Sequence, residues 1–200
     1  MSTTPLRLAV IIGSTREGRF GPTVAHWFVG QAEQHADMAI DVIDLADTAI
    51  PAEQQAQPAP KVSTGEYASP QVRTFADRIG AADAFVVVTP EYNHGYPGPL
   101  KLAIDSLYRE WQAKPVGFVS YGGLAGGQRS VEQLRPVFAE LHAVTIRETV
   151  SFAMAPNRFD EHGQPHDPEV VNGAAKVLLD QLAWWAHALR DAREARPYNA

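Results

Sequence analysis

Five short apolar runs, each followed by an amphipathic helical pattern, constrain this chain more than any other feature. The runs span residues 8–12, 40–45, 84–89, 116–121 and 144–152. Most are continuous rather than alternating, as in strands buried on both faces. The first helical pattern starts at Pro22, with Val24 and Phe28 four apart. The second, 70–81, carries Val72, Phe75, Ala76 and Ile79 on one stripe, and the third, from Pro99, carries Leu100, Ala103, Ile104 and Leu107. A fourth starts near Gln128 with Val131, Leu134 and Phe138, and a fifth runs from 167 to 193. Strict β-α alternation predicts an α/β protein with a parallel sheet, helices on both faces and right-handed crossovers. For five strands the predicted layout is a three-layer flavodoxin-like sandwich in the order 2-1-3-4-5. Ligands of such sheets bind beyond the carboxyl ends of the strands, so function is expected in the loops after strands one, three and four.

The chain has 200 residues, 45% of them hydrophobic, which suits one domain over residues 1–200 with a sizeable core. A net charge of −6 gives no basic footprint for nucleic acid. The absence of cysteine excludes disulfides, thiolate catalysis, zinc-thiolate sites and iron–sulfur clusters. No apolar run is long enough to span a membrane, and the first residues lack signal-peptide features, so a cytoplasmic protein is expected. Residues 46–69, with three prolines and little periodicity, are expected to form a surface flap or a plain decoration. Residues 195–200 are expected to be a frayed tail.

The first loop, "GSTREGRFG", has the glycine spacing of a nucleoside-triphosphate loop at Gly13 and Gly18. However, Arg19 and Phe20 stand where Lys and Ser/Thr are required. The dinucleotide fingerprint fails as well, because Ser14 and Thr15 leave no second glycine. What remains is a loop of hydroxyls and guanidinium groups opening a helix, which suits a terminal phosphate monoester. An ordinary turn with solvated arginines is the alternative. The second loop, "TPEYNHGYPGPLK", combines stiffening prolines with exposed amides and aromatics, a setting for a flat heteroaromatic ring. The third, "SYGGLAGGQRS", has four glycines that let main-chain amides approach a ligand, or simply make a flexible connector.

The stretches "GSTREGRFGPTVA", "PEYNHGYPGPLKLAID" and "SYGGLAGGQRSVEQLR" resemble the signature loops of the NADPH-dependent FMN reductases, over residues 6–152. These are flavodoxin-like proteins that include quinone, chromate and azo-dye reductases. The resemblance implies that Ser14, Arg16, Arg19, Phe20, Gly21, Pro22 and Thr23 hold the phosphate of FMN. Pro90, Glu91, Tyr92 and Asn93 would line the ring edge, and Ser120, Tyr121, Gly122, Gly123 and Gly126 would meet its pyrimidine end. It also implies hydride transfer from NADPH or NADH to flavin N5, then electron transfer to a small-molecule acceptor with ping-pong kinetics. No protein residue need act as acid, base or nucleophile, because the flavin carries the chemistry. The chain departs from many relatives by having Arg19 in place of Ser or Thr, Gly21 in place of Asn, and Leu102 in place of Asn.

Other readings are weaker. A hydrolase built on Ser120 lacks the nucleophile-elbow glycine, since Phe118 stands there, although Asp160 and His166 are potential partners. His162 and His166 have metal-ligand spacing only on a helix, which Gly163 and Pro165 argue against. An FMN-binding electron carrier without reductase activity would share the fold and loops. Exposed aromatics mark subunit contacts, and the family implies a homodimer or homotetramer. Tyr108, Trp111 and Trp184 are therefore expected at an interface.

Overall fold

The computed structural model describes residues 4–52 and 65–198. Five parallel strands, β1 (Leu6–Ile12), β2 (Met38–Asp44), β3 (Ala84–Pro90), β4 (Pro115–Gly122) and β5 (Val144–Ala153), lie in the order 2-1-3-4-5. Around them pack α1 (Gly21–Ala32), α2 (Pro70–Ala81), α3 (Gly98–Asp105), α4 (Gln128–Glu140) and α5 (Pro168–Ala195). The expected topology is the one observed. Four of the five helices have proline in the first turn (α1, α2, α3 and α5), where a missing N–H costs no helical bond.

Successive strand side chains point to opposite faces, which divides the core in two. Leu8, Val10, Ile12, Val86 and Val88 pack with α1 and α5. Ala9, Ile11, Phe85 and Val87 pack with α2, α3 and α4. Both faces of β1 and β3 are thus sealed, which explains why their sequences are apolar without alternation. At Gly117 a Cβ would lie 3.3 Å from Leu178, so the missing side chain lets α5 approach β4.

Three expectations change. The third helix stops at Asp105, and a 3-10 turn, Arg109–Trp111, follows. Trp111 is then core rather than interface: its side chain is fully buried and its Nε1 donates to the Ile104 carbonyl at 3.2 Å. Tyr198, placed in the tail by sequence, bonds through its hydroxyl to His142 Nδ1 at 2.9 Å. Residues 53–64, at the centre of the expected flap, lie outside the described residues. The returning segment is anchored, because the buried Tyr67 hydroxyl donates to Glu110 at 2.6 Å. No helix among the described residues is long and apolar enough to cross a membrane.

At the opposite edge from the ligand loops, Lys114 is buried and donates to the Ile79 and Gly80 carbonyls at 3.0 and 2.9 Å. It caps the C-terminus of α2. Burial, and then the neighbouring Arg193, lower its pKa to about 7, against the raising effect of Asp83 and Glu110. The folded protein therefore binds fewer protons than the unfolded chain between pH 7 and the ordinary lysine value. Stability should rise as pH increases through that window, by up to about 1 kcal/mol per pH unit, and be flat in this respect below it. Urea unfolding of wild type and Lys114→Met at pH 7 and 9 checks this. The variant should lose the rise, whereas equal slopes would contradict it.

Candidate functional site

Because every strand is parallel, the loops after β1, β3 and β4 leave the sheet on one edge. Hydrogen bonds knit them together there. The Ser14 hydroxyl, fully buried, lies 2.7 Å from the Tyr92 hydroxyl, joining the first loop to the second. The Arg16 guanidinium sits 3.7 Å from the centre of the Tyr92 ring, a cation–π contact that holds an exposed cation over the loop. The second loop closes as a hairpin: Tyr92 and Gly95 exchange main-chain bonds of 2.8 and 3.1 Å. Asn93 and His94, at its tip, both have positive φ, as a type I′ turn requires.

The second loop is bound to the third through Glu91. Its carboxylate accepts from the Arg129 main chain at 3.2 Å and from the Arg129 guanidinium at 2.7 Å. Its own N–H donates to the Tyr121 carbonyl at 3.1 Å. The buried Ser130 hydroxyl donates to the Pro90 carbonyl at 2.9 Å. In the third loop, the Ser120 and Ser151 hydroxyls both donate to the Gly126 carbonyl at 2.8 Å. Ser120 is thus a buried brace rather than a nucleophile. Asp160, its suggested distant partner, instead accepts the main-chain N–H groups of His162 and Gln164.

Donors without acceptors define the rim. Among the described residues, the main-chain N–H groups of residues 14–18 and of Phe20 donate to no protein acceptor. The same holds for Gly123, Leu124 and Ala125. Four buried side-chain polar atoms lack a partner among the described residues, and two of them belong here: Arg19 Nε and the Tyr121 hydroxyl. Burial pushes the Tyr121 hydroxyl well above the ordinary tyrosine pKa, so it remains a donor. Gly21 admits that hydroxyl, since a Cβ there would stand 2.8 Å from it. A turn of free amides at the start of α1 fits a phosphate, and free amides along the glycine loop fit ring carbonyls. The chain's donor set therefore fits a flavin phosphate.

The sequence-predicted residues do not all serve alike. Phe20 turns inward, edge-on to Tyr121 and Phe159 with ring centres 6.2 and 5.4 Å away. Arg19 turns to Asp44, with its Nη2 2.5 Å from the carboxylate. Sequence reasoning gave Asp44 no role. Its signal was the strand order, which sets Asp44 beside Ile12 at the carboxyl end of β2. The loop carrying His162 and His166, both exposed, also abuts the first loop: Phe159 packs on Phe20, and Gly163 approaches Thr23. No local pattern announces that contact across some 140 residues of chain.

Residues 6–157 match the family model described as NADPH-dependent FMN reductase. An NAD(P)H-dependent FMN reductase of Saccharomyces cerevisiae is 39% identical over 86% of this chain and 97% of its own length. A Schizosaccharomyces pombe protein of the same description is 38% identical over 64% of this chain, which spans 62% of that relative. A probable NADPH:quinone oxidoreductase of Oryza sativa is 31% identical over all of this chain and 97% of its own. Among solved structures, the NAD(P)H:acceptor oxidoreductase FerB of Paracoccus denitrificans superposes with a TM-score of 0.70. It is 20% identical, covers 90% of this chain and 98% of its own, and bears on the fold alone.

Proposed function

The chain belongs to the NADPH-dependent FMN reductase family and is an FMN-dependent NAD(P)H oxidoreductase, and we propose that its FMN lies across the rim just described. The carrier alternative falls with that membership. In this reading residues 14–23 take the phosphate, Pro90, Glu91, Tyr92 and Asn93 line the ring edge, and residues 120–126 meet the pyrimidine end. The observation that carries it is the convergence of unused donors, from residues 14–18 and 20 on one side and 123–125 on the other.

When bound, FMN supplies the redox chemistry, accepting hydride from NADPH or NADH and returning electrons to a small-molecule acceptor such as a quinone. The protein's part is geometry and field. Ser14 and the Tyr92 hydroxyl fix the distance between the phosphate turn and the ring loop. Glu91 ties the ring loop to the glycine loop through Arg129. The amides of Gly123, Leu124 and Ala125 place fixed dipoles where a ring gaining electrons gains negative charge, and a preorganised donor costs no reorganisation. We further propose one flavin-binding domain acting in the cytoplasm as a homodimer. Trp184, 65% exposed on α5 with Val170 and Val177 at seven-residue spacing, supports the dimer.

Mixing the protein with FMN and NADPH and following nicotinamide oxidation tests the reading. Turnover should exceed that of free FMN, and initial rates at varied acceptor should give parallel lines. A rate no faster than free FMN would defeat the placement, and intersecting lines would defeat the two-stroke kinetics.

A further inference from the structure

Resting on the placement of the FMN phosphate in the turn of residues 14–23, we propose that Asp44 holds Arg19 away from that phosphate. The consequence is weaker binding and faster release of FMN than the donors of the turn would otherwise give. Arg19 sits in the middle of the turn, yet its guanidinium faces the neighbouring strand. Its Nη2 lies 2.5 Å from Asp44 Oδ2, with both side chains about four-fifths buried.

Asp44 is a rigid acceptor. It ends β2 opposite Ile12, the last residue of the strand that launches the turn. Its second carboxylate oxygen accepts the Ala46 N–H at 3.0 Å, and its carbonyl accepts the Thr48 hydroxyl at 2.6 Å. Arg19 is less well served. Its Nε is shielded from solvent and finds no acceptor, so the pair leaves one charge-bearing donor idle. A phosphate, with several acceptor oxygens, competes with Asp44 for that guanidinium.

The electrostatics favour the same reading. A closed Arg19–Asp44 pair adds almost no net charge to the turn, whereas a released guanidinium adds a full positive charge in a largely buried place. An incoming phosphate must therefore bind beside a carboxylate. The exposed Arg16, held over the Tyr92 ring in the same turn, offsets only part of that cost. The groove on the far side of Asp44 carries Asp47 and Arg78, and Arg78 is committed to Asp41 at 2.5 and 3.0 Å. Asp44 is thus a positioning residue that acts through Arg19, and it lowers affinity for the phosphate end of the cofactor.

Titration with FMN and with riboflavin, followed by flavin fluorescence, tests this in wild type, Asp44→Asn, Arg19→Ala and the double variant. The amide of Asp44→Asn keeps one oxygen for the Ala46 N–H and loses the charge. FMN should bind about ten-fold tighter, with slower release, while riboflavin binding is unchanged. Arg19→Ala alone leaves the Asp44 charge unpaired beside the phosphate and should weaken FMN binding. The contribution of Arg19 is therefore read from the double variant, which removes both charges and should bind FMN within about three-fold of wild type. The double variant should lose the whole gain. FMN binding that is unchanged or weaker in Asp44→Asn would overturn the proposal. A double variant that binds FMN about ten-fold more weakly than wild type would overturn it independently, even if Asp44→Asn alone does not fold. If wild type does not prefer FMN over riboflavin, the phosphate placement itself fails and this inference with it. That result is distinct from a wild type that prefers FMN and a variant that gains nothing.

Discussion

Gly127→Val should destabilise the protein by roughly 2–5 kcal/mol, the sum of a strained left-handed residue and an overpacked one. It should also abolish tight FMN binding. Gly127 has φ 86°, where a β-branched residue is severely disfavoured. Space is lacking too: a Cβ there would stand 2.7 Å from Ser120 Cβ, and 2.8 and 2.9 Å from the main-chain N and O of Tyr121. Two of those neighbours are main chain of β4, so the strain cannot be relieved by a rotamer change. The loop must move, and the free amides of residues 123–125 move with it. Urea unfolding together with FMN titration measures both effects. A variant within about 0.5 kcal/mol of wild type would mean that the close approach is not real.

Trp111→Ala should cost about 3–5 kcal/mol, the range for removing a large aromatic side chain from a packed core. The Trp111 ring meets Phe85 at 4.9 Å, Phe138 at 5.5 Å and Phe75 at 6.3 Å between centres, all near edge-to-face. These contacts join α2, β3 and α4, so the loss spreads through the layer on one face of the sheet. Because the Trp111 side chain is almost fully buried, the mass of the folded variant by light scattering should match wild type. An altered mass with unchanged stability would restore the interface role that the sequence suggested.

The contrast between these two residues shows where sequence reasoning works. Gly127 belongs to a loop whose place follows from strand order alone: once β4 is recognised, the loop after it must lie on the ligand edge. The strand runs are legible because both sheet faces are covered, which leaves a continuous apolar signature. Trp111 is different. It follows a helix that ends at Asp105, where Ser106 bonds to the Ala103 carbonyl and the chain turns. Its place four residues after Leu107 continues the apolar stripe, and the interface expectation comes from reading a large aromatic near a helix end as exposed. Arg19 shows a third case. Its position in the phosphate turn was legible, but the direction of its guanidinium depends on Asp44, a partner 25 residues away with no local pattern to announce it. Local signals thus locate a loop, whereas pairings between loops decide which of its side chains are available.

The most direct measurement is a crystal structure of the protein soaked with FMN. The account requires the phosphate within hydrogen-bond distance of the main-chain N–H groups of residues 14–18 and 20, with the ring reaching the Pro90–Asn93 stretch and the glycine loop. FMN found elsewhere, or a rim left empty at saturating FMN, would contradict it.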